Sequence, residues 1–236
     1  MRVLNNDALI SRRAKTAQIS NLVGLGALGA GLVISLARPQ WALYTLGLLI
    51  IGVVASQYGI VQAFRFARRP RPDQELADAL KGLDDRYRLY NFLFPADHVL
   101  LTPKALYVVV LKSVAGKVIC EGRSCKQERR FSLGRLLRLF SPEALGDPMR
   151  EARWEQEALT RWLSKNPEVG EVTVEPMIVF LSPQVDLDVR NPEVPAIRAK
   201  ALKETLRRAE ARALSGEQYR LLARAFDEAA QSSGGK

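Results

Sequence analysis

Residues 16–37 and 39–64 carry no charged side chain, and only Arg38 separates them. Each stretch is long enough to cross a bilayer core as a helix. That takes about 20 mainly apolar residues, because a helix satisfies its own backbone polar groups. A connection as short as Arg38-Pro39-Gln40 returns the second segment antiparallel to the first. The chain is therefore expected to be a membrane-anchored α/β protein, with an N-terminal transmembrane helical hairpin followed by a mixed α/β domain. Residues 1–72 would hold the two spans (about 17–37 and 41–64) with basic flanks. Residues 73–231 would form a cytoplasmic domain large enough for a core, and residues 232–236 a disordered tail.

The net charge of +10 suggests a nucleic-acid partner until its distribution is read. Residues 1–72 hold nine Lys/Arg and one acid, Asp7, so +8 of the +10 lies there and only +2 remains for residues 73–236. The surplus sits at the feet of the spans. Arg12, Arg13 and Lys15 precede the first, and Arg65, Arg68, Arg69 and Arg71 follow the second. Positive flanks mark the cytoplasmic side, so both termini are expected there, in an inner or plasma membrane, with the turn outside. The same feet attract anionic headgroups. Ser35-Leu36-Ala37 resembles a signal-peptide cleavage site. The apolar stretch exceeds the roughly 7–15 residues of a signal core, however, and a second span follows at once.

Small residues four apart, Gly26/Ala30, Ala27/Gly31, Gly52/Ser56 and Ala55/Gly59, let helix backbones approach in lipid. They serve either packing within the hairpin or a homodimer. Trp41 and Tyr44 suit the outer interface. Neither span contains Asp, Glu, Lys or His, the residues that mark transport paths, which argues against a channel or transporter.

After the stiff Arg69-Pro-Arg-Pro72, the pattern changes. A short helix is expected from Asp73 as N-cap to Gly82 as stop. Strands are expected over 86–94, 97–101, 105–111 and 117–120, with an edge strand over 127–131. Residues 106–111 are apolar without alternation, as in a central strand covered on both faces. A short helix over 132–140 follows. Asp147-Pro148 then opens a helix to about residue 165, with Asp147 capping and Pro148 in the first turn. A strand over 172–181, a Pro-rich loop and helices near 196–214 and 217–230 complete the domain.

A leading helix, Asp97-His-Val-Leu-Leu, a turn, Tyr107-Val-Val-Val-Leu-Lys112, then Gly116 and Asp147-Pro-Met-Arg-Glu-Ala152 resembles the nuclease-related domain. That family is similar to the PD-(D/E)xK restriction-endonuclease-like superfamily, and the resemblance covers roughly residues 73–181. It implies a restriction-endonuclease-like fold and a site with an Asp before one strand and Glu-x-Lys on the next. Asn-Pro-x-x-Gln-Ala would open a helix. In that pattern two carboxylates bind a divalent metal that activates water, and the lysine positions or polarises it. Asp97 falls on the first acid and Lys112 on the lysine. Val110 falls on the glutamate, Asp147 on the asparagine and Glu151 on the glutamine.

Valine cannot ligate Mg²⁺, and one carboxylate is a poor site for a cation that prefers octahedral oxygen coordination. The resemblance thus implies a degenerate site, with catalysis more absent than present. No cofactor or metal is then expected. Mg²⁺, with Asp97 as ligand, enters only if another acid has moved in, and Glu75 on the leading helix is the candidate. His98, the only histidine, has no second base beside it in sequence and is expected to be a surface or strand residue.

Eight cations between residues 112 and 138 face only Glu121 and Glu128: Lys112, Lys117, Arg123, Lys126, Arg129, Arg130, Arg135 and Arg138. Sharing a face, they would bind phosphate without base specificity or face an anionic leaflet. Residues 133–140 also read as a basic amphipathic helix fit to lie on a membrane. Cys120 and Cys125, the only cysteines, cannot make a zinc site alone and are expected as free thiols in a reducing compartment. The leading expectation is a tethered, catalytically inactive nuclease-like domain, a pseudoenzyme acting in binding or scaffolding at the membrane. The alternatives are a membrane-anchored metal-dependent nuclease with a relocated acid, and a protein- or lipid-interaction module.

Overall fold

The computed structural model describes residues 1–128, 145–166, 169–208 and 214–234. They divide into two compact units, one built on residues 8–71 and the other on residues 1–7 with those from 72 onward.

The first unit is a helical hairpin. Helix α1 (Asp7–Ala37) ends where Arg38 takes an extended backbone ahead of Pro39, and a 3₁₀ turn (Pro39–Trp41) leads into α2 (Ala42–Phe66). The buried residues recur every seventh position: Ile10, Ala17, Gly24 and Gly31 on α1, and Thr45, Gly52, Gly59 and Phe66 on α2. A strict period of seven keeps one narrow seam facing the partner helix, as in coiled coils. Apart from Ile10 and Phe66, the seam is made of small residues, so the backbones nearly touch. A Cβ on Gly24 would fall 2.7 Å from the Ser56 amide nitrogen, and one on Gly59 2.9 Å from that of Asn21. Gly52 lies against Leu28, and Gly31 against Leu48 and Leu49. Gly31, Gly52, Ser56 and Gly59 are thus used within the hairpin, whereas Gly26, Gly29 and Gly47 face open space. Both helices are long and apolar enough to cross a membrane, and only 11% of each apolar window is buried, unlike a core helix of a soluble domain.

The second unit begins with strand β1 (Arg2–Asn5), ahead of the apolar hairpin, and resumes after it with α3 (Pro72–Leu80). Strands β2 (Arg88–Asn91), β3 (His98–Leu101) and β4 (Leu106–Lys112) follow, then β5 (Gly116–Gly122) and β6 (Ser124–Gln127). Helix α4 (Pro148–Leu163) leads to β7 (Val174–Phe180), β8 (Val185–Pro192) and β9 (Ala196–Arg198), and the unit closes with α5 (Leu202–Arg208) and α6 (Gly216–Gly234). Six strands form one sheet in the order β1-β2-β3-β4-β7-β9, and three form another in the order β6-β5-β8.

Period-two alternation sorts the large sheet's side chains onto two faces. Tyr90, Val99, Leu101, Leu106 and Val108 pack with Leu159 and Leu163 of α4 and with Leu222 and Phe226 of α6. Leu89, Leu100, Tyr107 and Val109 turn the other way, onto Leu76 and Leu80 of α3 and Leu202 and Leu206 of α5. A third cluster joins the sheets: Val110, Ile178 and Phe180 meet Val118, Cys120 and Cys125, with Met149 and Ala152 of α4 between. β4, α4 and β7 form a β-α-β unit with β4 and β7 parallel.

Several expectations change. The strand expected over 86–94 stops at Asn91, because Phe92 turns left-handed at φ 58°. The Pro-rich loop contains β8 and leads into β9, and the helix expected near 196–214 is described only over Leu202–Arg208. β1 joins β2 in parallel with Asn5 opposite Asn91 and Asn91 Nδ2 donating to Asn5 Oδ1 at 2.8 Å, so residues 1–7 are added to the domain. Of the two expectations for His98, strand holds: it opens β3 and is 5% exposed, its Nδ1 2.9 Å from Asn91 Oδ1. Cys120 and Cys125 are not free thiols; they form a disulfide. The helix expected over 132–140 and the last residues of the expected edge strand lie outside the described residues.

Candidate functional site

Helix α4 (Pro148–Leu163) reaches two of the expected site residues, Asp97 and Lys112. β3 and β4 pair antiparallel with Val99 opposite Val108. Asp97 lies in the bend just before β3, which starts at His98. Phe92 fixes the start of the turn, its amide donating to the Asp97 carbonyl at 2.7 Å. Alternation puts Val110 and Lys112 on the sheet face that α4 covers. Val110 is the position that the resemblance sets on the motif's glutamate. Val110 is 4% exposed and packs in the cluster that holds Met149, Ala152 and Phe180.

Helix α4 brings its own carboxylates to the same face. Asp147 caps it, accepting from the Arg150 amide at 3.0 Å, with Pro148 in the first turn as expected. Glu151 and Glu155, one turn apart, share a helix face. Both oxygens of Glu151 accept from Lys112 Nζ, at 2.9 and 2.7 Å. Lys112 is 9% exposed, and a cation so buried needs a partner. Gly146 fits tightly beside the pair: a Cβ there would fall 3.1 Å from Glu151 Oε1, and φ is +61°. Glu155 Oε2 accepts from the Asp97 amide at 3.3 Å. Glu155 is absent from the sequence-based set, although its i,i+4 spacing from Glu151 is a legible sign that both acids reach one neighbourhood.

Glu75 lies on α3, whose Leu76 and Leu80 pack on the opposite sheet face. Among the described residues, no three His, Cys, Asp or Glu gather as ligands for a metal ion. With Val110 buried and Glu151 engaged by Lys112, the residues present do not fit the Mg²⁺ site that the motif implies.

The basic cluster is partly described. Lys117 pairs with Glu128 at 3.0 Å, and Arg123 with Glu193 at 2.8 Å, where Arg153 of α4 also reaches at 3.0 Å. The Arg123 hydrogen bond holds the Glu193 carboxyl below its ordinary range. Lys126 lies on β6, whereas Arg129, Arg130, Arg135 and Arg138 lie outside the described residues. Elsewhere, an open groove of about 540 Å³ along α4, lined by Trp154, Gln156, Glu157, Thr160 and Arg161, contains none of the motif residues.

An antiparallel β2-β3-β4 meander, a parallel β4-α4-β7 unit, and an Asp and a Lys both contacted by α4 point to one family. Residues 71–181 match the nuclease-related domain. The match runs from the start of α3 to just past β7, so the nuclease-related domain contains every motif residue above, while β1, β8, β9, α5 and α6 extend it. No curated protein and no solved structure matches the chain.

Proposed function

We propose that this chain is a membrane-tethered nuclease-like domain that has lost phosphodiester hydrolysis and serves binding or scaffolding at the cytoplasmic membrane face. One observation carries the reading. The motif lysine, which in an active site would face water and the scissile phosphate, is engaged by both oxygens of Glu151. Beside it, the position of the second ligand is a buried valine.

Tethering rests on the two apolar helices. Their connectivity supports equal-sided termini, since α1 leaves from β1 and α2 leads back to α3, and β1 and β2 belong to one sheet. An even number of crossings satisfies that pairing, and the basic feet favour the cytoplasmic side. The partners in this reading are the bilayer and, through the basic residues from Lys117 to Arg138, nucleic acid or anionic lipid. A homodimer would use the outward glycines Gly26, Gly29 and Gly47.

The second reading, a nuclease with a relocated acid, draws on Glu155 beside Asp97 rather than on Glu75 or Glu151. The test is incubation of the full chain in nanodiscs with DNA and RNA, with Mg²⁺ or Mn²⁺. No cleavage is expected. Cleavage lost in both Asp97→Ala and Glu155→Gln would establish the second reading instead. A reporter after Lys236 should stay cytoplasmic, and a cysteine at Gln40 should be labelled from outside.

A further inference from the structure

The β5-β6 hairpin places Cys120 directly opposite Cys125, between the pairs Ile119 with Lys126 and Glu121 with Ser124. Their Cα atoms are 4.1 Å apart, and a disulfide joins them. The ladder continues on both sides of the pair, so the two sulfurs stay neighbours whether bonded or not. Reducing compartments keep thiols open, while oxidising ones keep them closed. A pair preset for bonding on the cytoplasmic side would respond to changes between the two.

We propose that Cys120 and Cys125 form a reversible thiol–disulfide site in the cytoplasmic domain, open in resting cells and closed under disulfide stress. This rests on the cytoplasmic placement given above. The two positions differ in access. Cys120 is fully buried in the central strand of the small sheet, whereas Cys125 lies on its edge strand and is 8% exposed. Cys125 is therefore the attacking thiol. Its thiolate displaces one sulfur of a small-molecule or protein disulfide, forming a mixed disulfide and releasing the first thiolate. The Cys120 thiolate then attacks the Cys125 sulfur and expels the second. Two cysteine thiols lose two electrons and two protons, and the oxidant disulfide becomes two thiols. Reduction by a dithiol runs the same steps in reverse.

The closed bond ties a specific place. Both cysteines pack in the cluster with Val110 and with Met149 and Ala152 of α4, and Glu151 lies between those two helix residues in sequence. The hairpin is joined to α4 a second time through Arg123, Glu193 and Arg153. Closing the disulfide stiffens the hairpin against the helix that holds Lys112.

Differential alkylation of the full chain in intact cells tests this, before, during and after treatment with diamide. The expected result is two free thiols at rest, one intramolecular disulfide under diamide, and recovery of the thiols afterwards. In membranes, reduction should raise amide exchange in residues 116–127 and 148–155, and Cys120→Ser/Cys125→Ser should not respond to the reductant. Thiols that stay free under diamide would overturn the proposal. A disulfide in resting cells would also overturn it, making the bond a fixed cross-link. The reporter after Lys236, measured in the same cells, then tells whether the cytoplasmic placement has failed as well.

Discussion

The two units bury opposite kinds of residue. In the helical hairpin Gly24, Gly31, Gly52 and Gly59 face inward and most large side chains face out: Leu22 is 73% exposed, Leu36 77% and Leu43 80%. In the α/β unit Leu76, Leu89, Leu100 and Leu101 are fully buried. Under the proposed membrane reading, the difference follows from the solvent each surface meets. In water, burying a leucine is favourable by about 1.5–3 kcal/mol, so large side chains make the core. In lipid that drive is absent, and association relies on close packing of small residues. The hairpin is inside-out relative to the domain, and that contrast supports the membrane reading better than length alone.

The contrast breaks most visibly under paired substitutions. Leu100→Ala should destabilise the α/β unit by about 2–5 kcal/mol, while Leu43→Ala should leave the hairpin unchanged. Size changes of opposite sense should reverse the order. Gly59→Leu should push α1 and α2 apart, whereas Gly47→Leu, with open space beside it, should not. Denaturant unfolding reads the first pair, and spin-label distances between the helices in nanodiscs read the second. Equal responses of both units would end the inside-out account.

Polar groups sharpen the same comparison, because the α/β unit encloses charges and the spans hold none. Glu151→Ala leaves the Lys112 ammonium without its two acceptors and should cost about 1–3 kcal/mol. Glu151→Gln, which keeps one acceptor, should cost less.

Tyr90 is a smaller case. Its hydroxyl donates to Asp227 Oδ1 at 2.8 Å, tying β2 to α6, and burial followed by the Asp227 carboxylate pushes its pKa well up. A group whose folded pKa lies above its unfolded value, about 10 for tyrosine, contributes stability that is whole below that pH and lost above it. Phenolate absorbance should show Tyr90 ionising last, with unfolding. Tyr90→Phe should cost about 1 kcal/mol and remove that part of the alkaline dependence.

Glu193 gives the smallest effect. Its lowered pKa contributes stability present above its ordinary value of 4.5 and lost as pH falls through the folded pKa. Acidification below 4.5 should loosen the β5-β6 turn first, seen as faster amide exchange, and Glu193→Gln should abolish that step.

Much of this was legible in residues. The uncharged stretches mark α1 and α2, Asp147-Pro148 marks the start of α4, and the apolar run of β4 marks the sheet centre. β1 was not, because four residues without a turn signal become a strand only by pairing with residues 88–91, far along the chain. β8 carries an alternation, Val185-Asp-Leu-Asp-Val-Arg190, that prolines on either side obscure. The helix seam repeats every seventh residue, but which small residues face the partner depends on a register that spacing alone does not set. At the site, the valine at position 110 is visible in sequence. The grip of Glu151 on Lys112 is not, since it depends on α4 lying over β4. The disulfide depends likewise on a hairpin turn at Gly122-Arg123 that reverses the chain between the cysteines.

The central claim is that this nuclease-like site no longer holds a metal. Calorimetric titration of the full chain in nanodiscs with Mn²⁺ tests it most directly. The native chain should show no saturable site. Val110→Glu, two residues before Lys112 on the same strand face, should lower the melting temperature without metal, because it buries a charge, and should gain a Mn²⁺ site that restores part of the loss. A single Mn²⁺ bound by the native chain and lost in Asp97→Ala would contradict the account.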